Sequence, residues 1–274
     1  HKACDKSSGL GCYGLGLGLE RGEGEAKNLP KAFELYGWAC DTGGEPRACQ
    51  SRGQMLRDGV GVAKDPAQAV PLFQKACSGN VGGACFELAS LHETGRGTKR
   101  DFLAAMPLYG KACTAGDPRA CGRLGRLYNG TPGVEVDKDQ AIAFFKQACD
   151  GGDTASCGAL APQYEYGEAP LSRDQPLAAS LYKKSCDGGT QQDCYNLARM
   201  SSNGSGIAID LPRAVALYTS SCNAGIGISC YELAALAEKG RGMSVDRDKA
   251  KAFYKKSCDA GEKRGCEKVR YTQD

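Results

Sequence analysis

Residues 85–113 read CFELASLHETGRGTKRDFLAAMPLYGKAC, and this stretch decides the fold. Cys85, Leu88, Ala89 and His92 stand three or four apart, the spacing of one face of a helix. Gly95 and Gly97 end that helix, because glycine adopts the left-handed backbone of a helix C-terminus without a Cβ clash. Asp101 follows, a residue type whose carboxylate accepts from the free N–H groups of a second helix. Ala105 and Tyr109 lie four apart on a face that runs on to Cys113. The stretch is a helical hairpin with a cysteine at each end.

The same hairpin recurs along all 274 residues. The sixteen cysteines are Cys4, Cys12, Cys40, Cys49, Cys77, Cys85, Cys113, Cys121, Cys149, Cys157, Cys186, Cys194, Cys222, Cys230, Cys258 and Cys266, eight close pairs whose first members recur every 36 or 37 residues. Three positions after the second cysteine stands leucine, as at Leu15, Leu124 and Leu233, with Arg52 the exception; a small residue follows, as at Gly16, Gly125 and Ala234. Asn28, Asp65, Asp101, Asp137, Asp174, Asp210 and Asp246 mark the start of each second helix, and an aromatic residue stands four before each next cysteine. Hairpins of this length cannot bury their apolar faces alone, so neighbours must stack into a continuous core. The prediction is an all-α, right-handed α-solenoid with a concave and a convex surface. Its seven repeats lie near 12–40, 49–77, 85–113, 121–149, 157–186, 194–222 and 230–258, with a cap at 266–274, in one array over 1–274.

The cysteines are read as disulfides. No C-x2-C is present and the histidines are only His1 and His92, so the spacing does not suit zinc. Residues eight apart in one straight helix are roughly 12 Å apart, too far for a bridge. Glycines such as Gly79, Gly116 and Gly225 lie between the members of each pair, however, so the chain turns there and the sulfurs can meet. Each bridge would join the end of one repeat to the start of the next. Such density belongs in an oxidising compartment, so a secreted or periplasmic location is expected.

The pattern over Cys85 to Cys113, C-x2-LA-x2-H-x2-GRG-x3-D-x3-A-x2-LY-x-KAC, resembles the Sel-one-like repeat family, relatives of the tetratricopeptide repeat. The cysteine pair in every unit narrows the likeness to the Helicobacter cysteine-rich proteins. That resemblance implies disulfide-linked hairpins and a role as adaptor or scaffold for protein complexes. It also carries two further expectations from cysteine-rich relatives, β-lactam binding or hydrolysis, and interaction with a host.

Composition sets the outer limits. With 41% hydrophobic and 24% charged residues the chain is globular, and no uncharged stretch approaches a membrane span. Its net charge of +3 is too balanced to call for nucleic acid. There is no initiator methionine or signal peptide, so the chain reads as a processed or shortened form, and His1-Lys2-Ala3-Cys4 reads as the last turn of a preceding helix. Pro71, Pro107 and Pro162 fall inside expected helices and should kink them. Residues 162–176 carry an extra residue and lose a glycine, which marks the fifth repeat for altered curvature. Gly14, Gly16 and Gly18 should weaken the first helix.

Motifs of catalytic type are sparse. Gly9 to Gly14 matches G-x-G-x-x-G, but with no preceding strand it is read as a glycine-rich turn. Ser180-Leu181-Tyr182-Lys183 matches the S-x-x-K of penicillin-recognising enzymes; neither S-D-N nor K-T-G follows. His92 fills a slot held elsewhere by Leu56, Tyr128 and Tyr164, and the neighbouring Glu93 is equivalent to Glu20, Glu165 and Glu238. Trp38 is either an exposed anchor or packs on a disulfide. Asn129-Gly130-Thr131 and Asn203-Gly204-Ser205 match the glycosylation sequon but read as turns.

First helices are expected to line the concave face. Their variable positions fall one, two, five and nine after the second cysteine, and include Tyr13, Gln54, Arg123, Arg126, Tyr195, Asn196, Arg199, Asn203, Tyr231 and Glu232. Arg, Tyr and Asn are the side chains a peptide groove uses. The expected function is therefore non-enzymatic binding of a protein or peptide, without cofactor, metal, nucleic acid or membrane insertion. The alternatives are a β-lactam hydrolase acting through Ser180 and a structural spacer within a larger protein.

Overall fold

The computed structural model describes Cys4 and residues 8–271. The expectation for residues 1–3 lies outside that range, as does the end of the cap. Among the described residues there are fifteen α-helices and no strand: α1 (Gly9–Arg21), α2 (Leu29–Asp41), α3 (Pro46–Asp58), α4 (Pro66–Ser78), α5 (Gly82–Thr94), α6 (Phe102–Thr114), α7 (Pro118–Tyr128), α8 (Lys138–Asp150), α9 (Thr154–Tyr166), α10 (Gln175–Asp187), α11 (Gln191–Asn203), α12 (Leu211–Asn223), α13 (Gly227–Lys239), α14 (Arg247–Asp259) and α15 (Lys263–Tyr271). Odd-numbered helices are the first members of the hairpins and even-numbered ones the second. The odd-numbered helices start about three residues before the second cysteine, so the bridges from Cys40–Cys49 onward join cysteines that both lie inside helices.

The caps follow the sequence. Asp65, Asp101, Asp174, Asp210 and Asp246 accept from backbone N–H groups of the helices they precede, Asn28 does the same for α2, and Asp137 takes Gln140 N at 2.9 Å. Gly22, Gly59, Gly95, Gly167, Gly204 and Gly240 close first helices at φ between 66° and 77°, a backbone that only glycine adopts freely. In the fourth repeat Asn129 takes that place with φ −82°, and α7 is two residues shorter than its counterparts.

The chain divides into two compact units, His1–Gln147 and Ala148–Asp274. In the first unit α1 to α7, and in the second α9 to α15, pack each on the next in sequence, the arrangement of a stacked solenoid. The core of the hairpin is the aromatic residue of the second helix lying on the small residue of the first. Tyr36, Phe73 and Tyr109 are fully buried, as are the alanines four before them, Ala32, Ala69 and Ala105. A Cβ on Gly125 would stand 2.6 Å from the Phe145 ring, and one on Gly53 2.9 Å from Phe73. Arg52, the exception to the leucine pattern, lays its guanidinium over Phe33, 4.9 Å from the ring centre, and ion-pairs with Asp41 at 2.9 Å. Gly37 makes room for it, since a Cβ there would come within 2.9 Å of the guanidinium carbon.

Eight cysteine pairs are at bonding distance, with Cα separations of 4.3 to 4.9 Å, and no cysteine among the described residues is free. Seven of them, from Cys40–Cys49 to Cys258–Cys266, join the last turn of an even helix to the first turns of the following odd one.

One local expectation needs correction. Gly9 to Gly14 is not a turn but the opening of α1, whose cap is Ser8, its hydroxyl accepting from Gly11 N at 3.1 Å. α1 runs for thirteen residues with these three glycines in it, and the Tyr36 ring rests on Gly16. The helices α4, α6 and α9 each continue for thirteen residues through Pro71, Pro107 and Pro162. Pro71 and Pro107 face solvent, the side of the helix on which a carbonyl without its N–H donor costs least.

Candidate functional site

A tyrosine–glutamate pair recurs inside the hairpins. Eight positions after the second cysteine, near the end of the first helix, Glu20, Glu93, Glu165 and Glu238 accept from the phenols of Tyr36, Tyr109, Tyr182 and Tyr254. The distances are 2.5 Å for Glu20 and 2.9 Å for Glu165 and Glu238. Where the core aromatic is Phe73 or Phe145, the partner position holds Arg57 or Asn129 instead. Burial, reinforced by the nearby carboxylate, pushes the phenols of Tyr36, Tyr109, Tyr182 and Tyr254 well above the ordinary tyrosine range.

In four repeats the same position also ties the repeat to the next. Arg57 pairs with Glu87, Glu93 with Arg123 at 3.4 Å, Glu165 with Arg199, and Glu238 with Lys268 at 3.5 Å. Two of the arginines expected to face a ligand are therefore already engaged in the ladder between first helices. The three tyrosines expected there also have internal partners: Tyr13, Tyr195 and Tyr231 tilt against Tyr36, Tyr218 and Tyr254 with ring centres 5.4 to 5.9 Å apart. Asn196 donates to Asp193, whose other oxygen accepts from buried Ser185. Gln54 is half-buried, while Arg126 and Asn203 are exposed.

Three of the expected residues do converge. Arg199, Asn203 and Glu232 line one cleft of about 200 Å³ in the second unit, together with Ser202, Tyr218, Ala235, Leu236, Lys239 and Arg241. The end of α11 forms one wall, α13 the other, and Tyr218 of α12 the floor. Burial raises the Glu232 carboxyl above the usual range, against the pull of Arg264, 3.9 Å away, and Lys239. Burial likewise pushes up the Tyr218 phenol. Sequence reasoning missed Ser202, Tyr218, Lys239 and Arg241. Ser202 was the legible one, since it stands where four other repeats have glutamate.

The motifs set apart in the sequence form no catalytic cluster. Ser180 is exposed on α10 and donates to the Leu177 carbonyl at 2.7 Å, and Lys183 ion-pairs with Asp187 at 2.6 Å rather than reaching it. His92 is partly buried with Nδ1 unpartnered, and Trp38 is half-buried. Among the described residues no group of His, Cys, Asp or Glu could hold a metal ion, and no helix is long and apolar enough to cross a membrane.

A model of the Sel1 repeat matches the chain seven times, over residues 9–43, 46–81, 83–117, 118–153, 154–190, 192–226 and 227–262. The chain belongs to the Sel1 repeat family. Its Sel1 repeats are similar in structure to c5321, a protective antigen of uropathogenic Escherichia coli, with a TM-score of 0.90 and 25% identity over 97% of this chain and 56% of that one. They share the fold of a Sel1 repeat protein from Oxalobacter formigenes, with a TM-score of 0.72 and 22% identity over 90% and 96% of the two chains. Cytochrome c oxidase assembly factor 7 of Danio rerio is 33% identical over 86 residues, 30% of this chain and 38% of that protein. The chain thus spans little more than half of the E. coli antigen structure and well under half of the assembly factor. Sel1 repeats are scaffolds that typically mediate protein–protein interaction, and each match of the family model begins at the first or second residue of an odd-numbered helix and ends in the turn after the following even one.

Proposed function

We propose that this chain is a non-enzymatic scaffold that binds a protein or peptide on the face of its first helices, the concave face of a stacked hairpin array. Convergence of Arg199, Asn203 and Glu232 on one cleft carries the reading, because it gathers variable side chains at a concavity the framework does not fill. The bridged cysteines and the absence of a free thiol among the described residues support an oxidising compartment, secreted or periplasmic. The likeness to a protective antigen is in keeping with a place outside the cytosol.

The test is selection of displayed random peptides on the oxidised chain, followed by affinity measurement against Arg123→Ala/Arg126→Ala and Arg199→Ala/Asn203→Ala variants. Loss of at least about tenfold in one pair, with helicity unchanged, is the expected result; a single lost hydrogen bond to a charged group accounts for that factor. Unchanged affinity in both pairs would remove the first-helix face from consideration.

A further inference from the structure

The sixth repeat breaks the tyrosine–glutamate rule. It keeps the tyrosine, Tyr218, but replaces the glutamate by Ser202. Four other repeats show what belongs there: a carboxylate accepting from the phenol. In this one the phenol forms no hydrogen bond among the described residues, although Tyr218 is only 3% exposed. A serine side chain is shorter than a glutamate by two heavy atoms, and the space it leaves is part of the 200 Å³ cleft that Ser202 and Tyr218 both line. The phenol oxygen is not among the enclosed unpartnered polar atoms of the described residues, so it opens on the cleft, where an acceptor entering from solvent can reach it.

The charges around it favour an anionic acceptor. Arg199 reaches the cleft from α11 while holding Glu165. Lys239 and Arg241 stand at its mouth and form no ion pair among the described residues. Glu232, the one acid of the lining, is drawn towards Arg264 from α15. Three cations, a phenol donor and one partly neutralised acid make a site for a single compact anion.

We infer that the cleft binds a carboxylate group of a peptide ligand, which takes the position the repeat's own glutamate occupies in the other hairpins. The inference rests on the peptide-binding reading of the first-helix face and names the group recognised there. The phenol donates to one carboxylate oxygen, and Lys239 and Arg241 close over the other. The carboxylate can be a chain terminus or an Asp or Glu side chain.

The oxidised chain, labelled with 13C in its tyrosine rings, would be titrated with N-acetyl-diglycine, with its amide, and with N-acetyl-aspartate diblocked at its terminus, so that only the side-chain acid remains. Tyr218→Phe assigns the ring signal. A saturable shift of the Tyr218 signal with an acid but not with the amide is expected, and which acid acts distinguishes terminus from side chain. Ser202→Glu restores the residue of the other repeats and should abolish the response. Lys239→Gln with Arg241→Gln, both exposed, should weaken it about tenfold without touching the core. Equal shifts with acid and amide, no shift with either acid, or a full response in Ser202→Glu would overturn the inference. A selected peptide that binds the first-helix face equally well when amidated, its acidic side chains removed, and in Ser202→Glu would overturn it too, while leaving the peptide-binding face standing. A Tyr218 response to the acids in a chain that selects no peptide would uphold the carboxylate site and remove the peptide-binding face.

Discussion

Tyr182 donates its phenol to Glu165 at 2.9 Å, and Arg199 of the next repeat takes the other oxygen of the same carboxylate. Glu165 is almost fully buried, at 2% exposure. One side chain thereby holds both the hairpin to which it belongs and the stacking of the repeat that follows. Glu165→Ala would leave a phenol and a guanidinium without their acceptor, and the expected loss is about 2–3 kcal/mol. Glu165→Gln keeps one acceptor oxygen and should lose less. Urea denaturation of the oxidised protein measures both, and a loss below about 0.5 kcal/mol for the alanine variant would show that the pair is dispensable.

Buried phenols give the stability a limit on the alkaline side. Tyr36, Tyr109 and Tyr182 are raised first by burial and then by their glutamates, and Tyr218 and Tyr254 by burial above all. A free phenol ionises near pH 10, so below that pH folded and unfolded chains bind the same phenolic protons. Above it the unfolded chain releases protons that the folded chain keeps, and stability falls as pH rises towards the raised values. After a jump to about pH 11, phenolate absorbance should rise in two phases. The fast phase should fall short of all 12 tyrosines, and the slow phase should track loss of helicity. Full ionisation while the helices persist would contradict the burial assigned to these rings.

Two glycines of α1 should respond in opposite directions to the same substitution. Gly14 is exposed, and a Cβ built on it meets nothing within 4 Å. Gly14→Ala should therefore stabilise by about 0.5–1 kcal/mol through helix propensity alone. At Gly16 the added carbon would lie 2.6 Å from Cε1 of Tyr36, in a fully packed core. Gly16→Ala should destabilise by about 1–3 kcal/mol, less its propensity gain. The order of melting temperatures, Gly14→Ala above the parent and Gly16→Ala below it, is the check.

What was legible in the sequence was local and periodic. Asp101 before α6 and Gly95 after α5 announce helix ends because capping is decided by a few adjacent residues. Cys113 and Cys121 announce a bridge because the turn at Gly116 lies between them. Side-chain direction was harder. Tyr13, Tyr195 and Tyr231 read as ligand-facing from their variability, yet a side chain one position after the cysteine leans onto the second helix and meets its aromatic ring. The pairing of Glu20 with Tyr36 against Arg57 with Phe73 was present in the repeats as a covariation. Only contact between the helices says that those two columns touch, and with that known Ser202 beside Tyr218 becomes the informative exception.

The bridge between Cys113 and Cys121 poses the sharpest question of energetics. Hydrogen bonds already organise the turn it spans: Ala115 N to Lys111 O, Gly116 N to Cys113 O and Asp117 N to Ala112 O, each at 3.0 Å, with Asp117 capping Arg119 N. Asp117 is held below the usual carboxylate range, burial working against its bonds to Arg119. If the unfolded chain keeps none of this, closing a loop of about nine residues stabilises the fold by roughly 2.5 kcal/mol through the entropy of the unfolded state. Cys113→Ala with Cys121→Ala should then lose about that amount under non-reducing conditions, and amides of 115–117 should exchange faster than those of the unbridged loop at 95–101. A loss under about 1 kcal/mol with unchanged exchange would mean that the turn persists in the unfolded chain. The bridges would then act mainly to protect the stack against opening, and their number would reflect the compartment rather than a need of the fold.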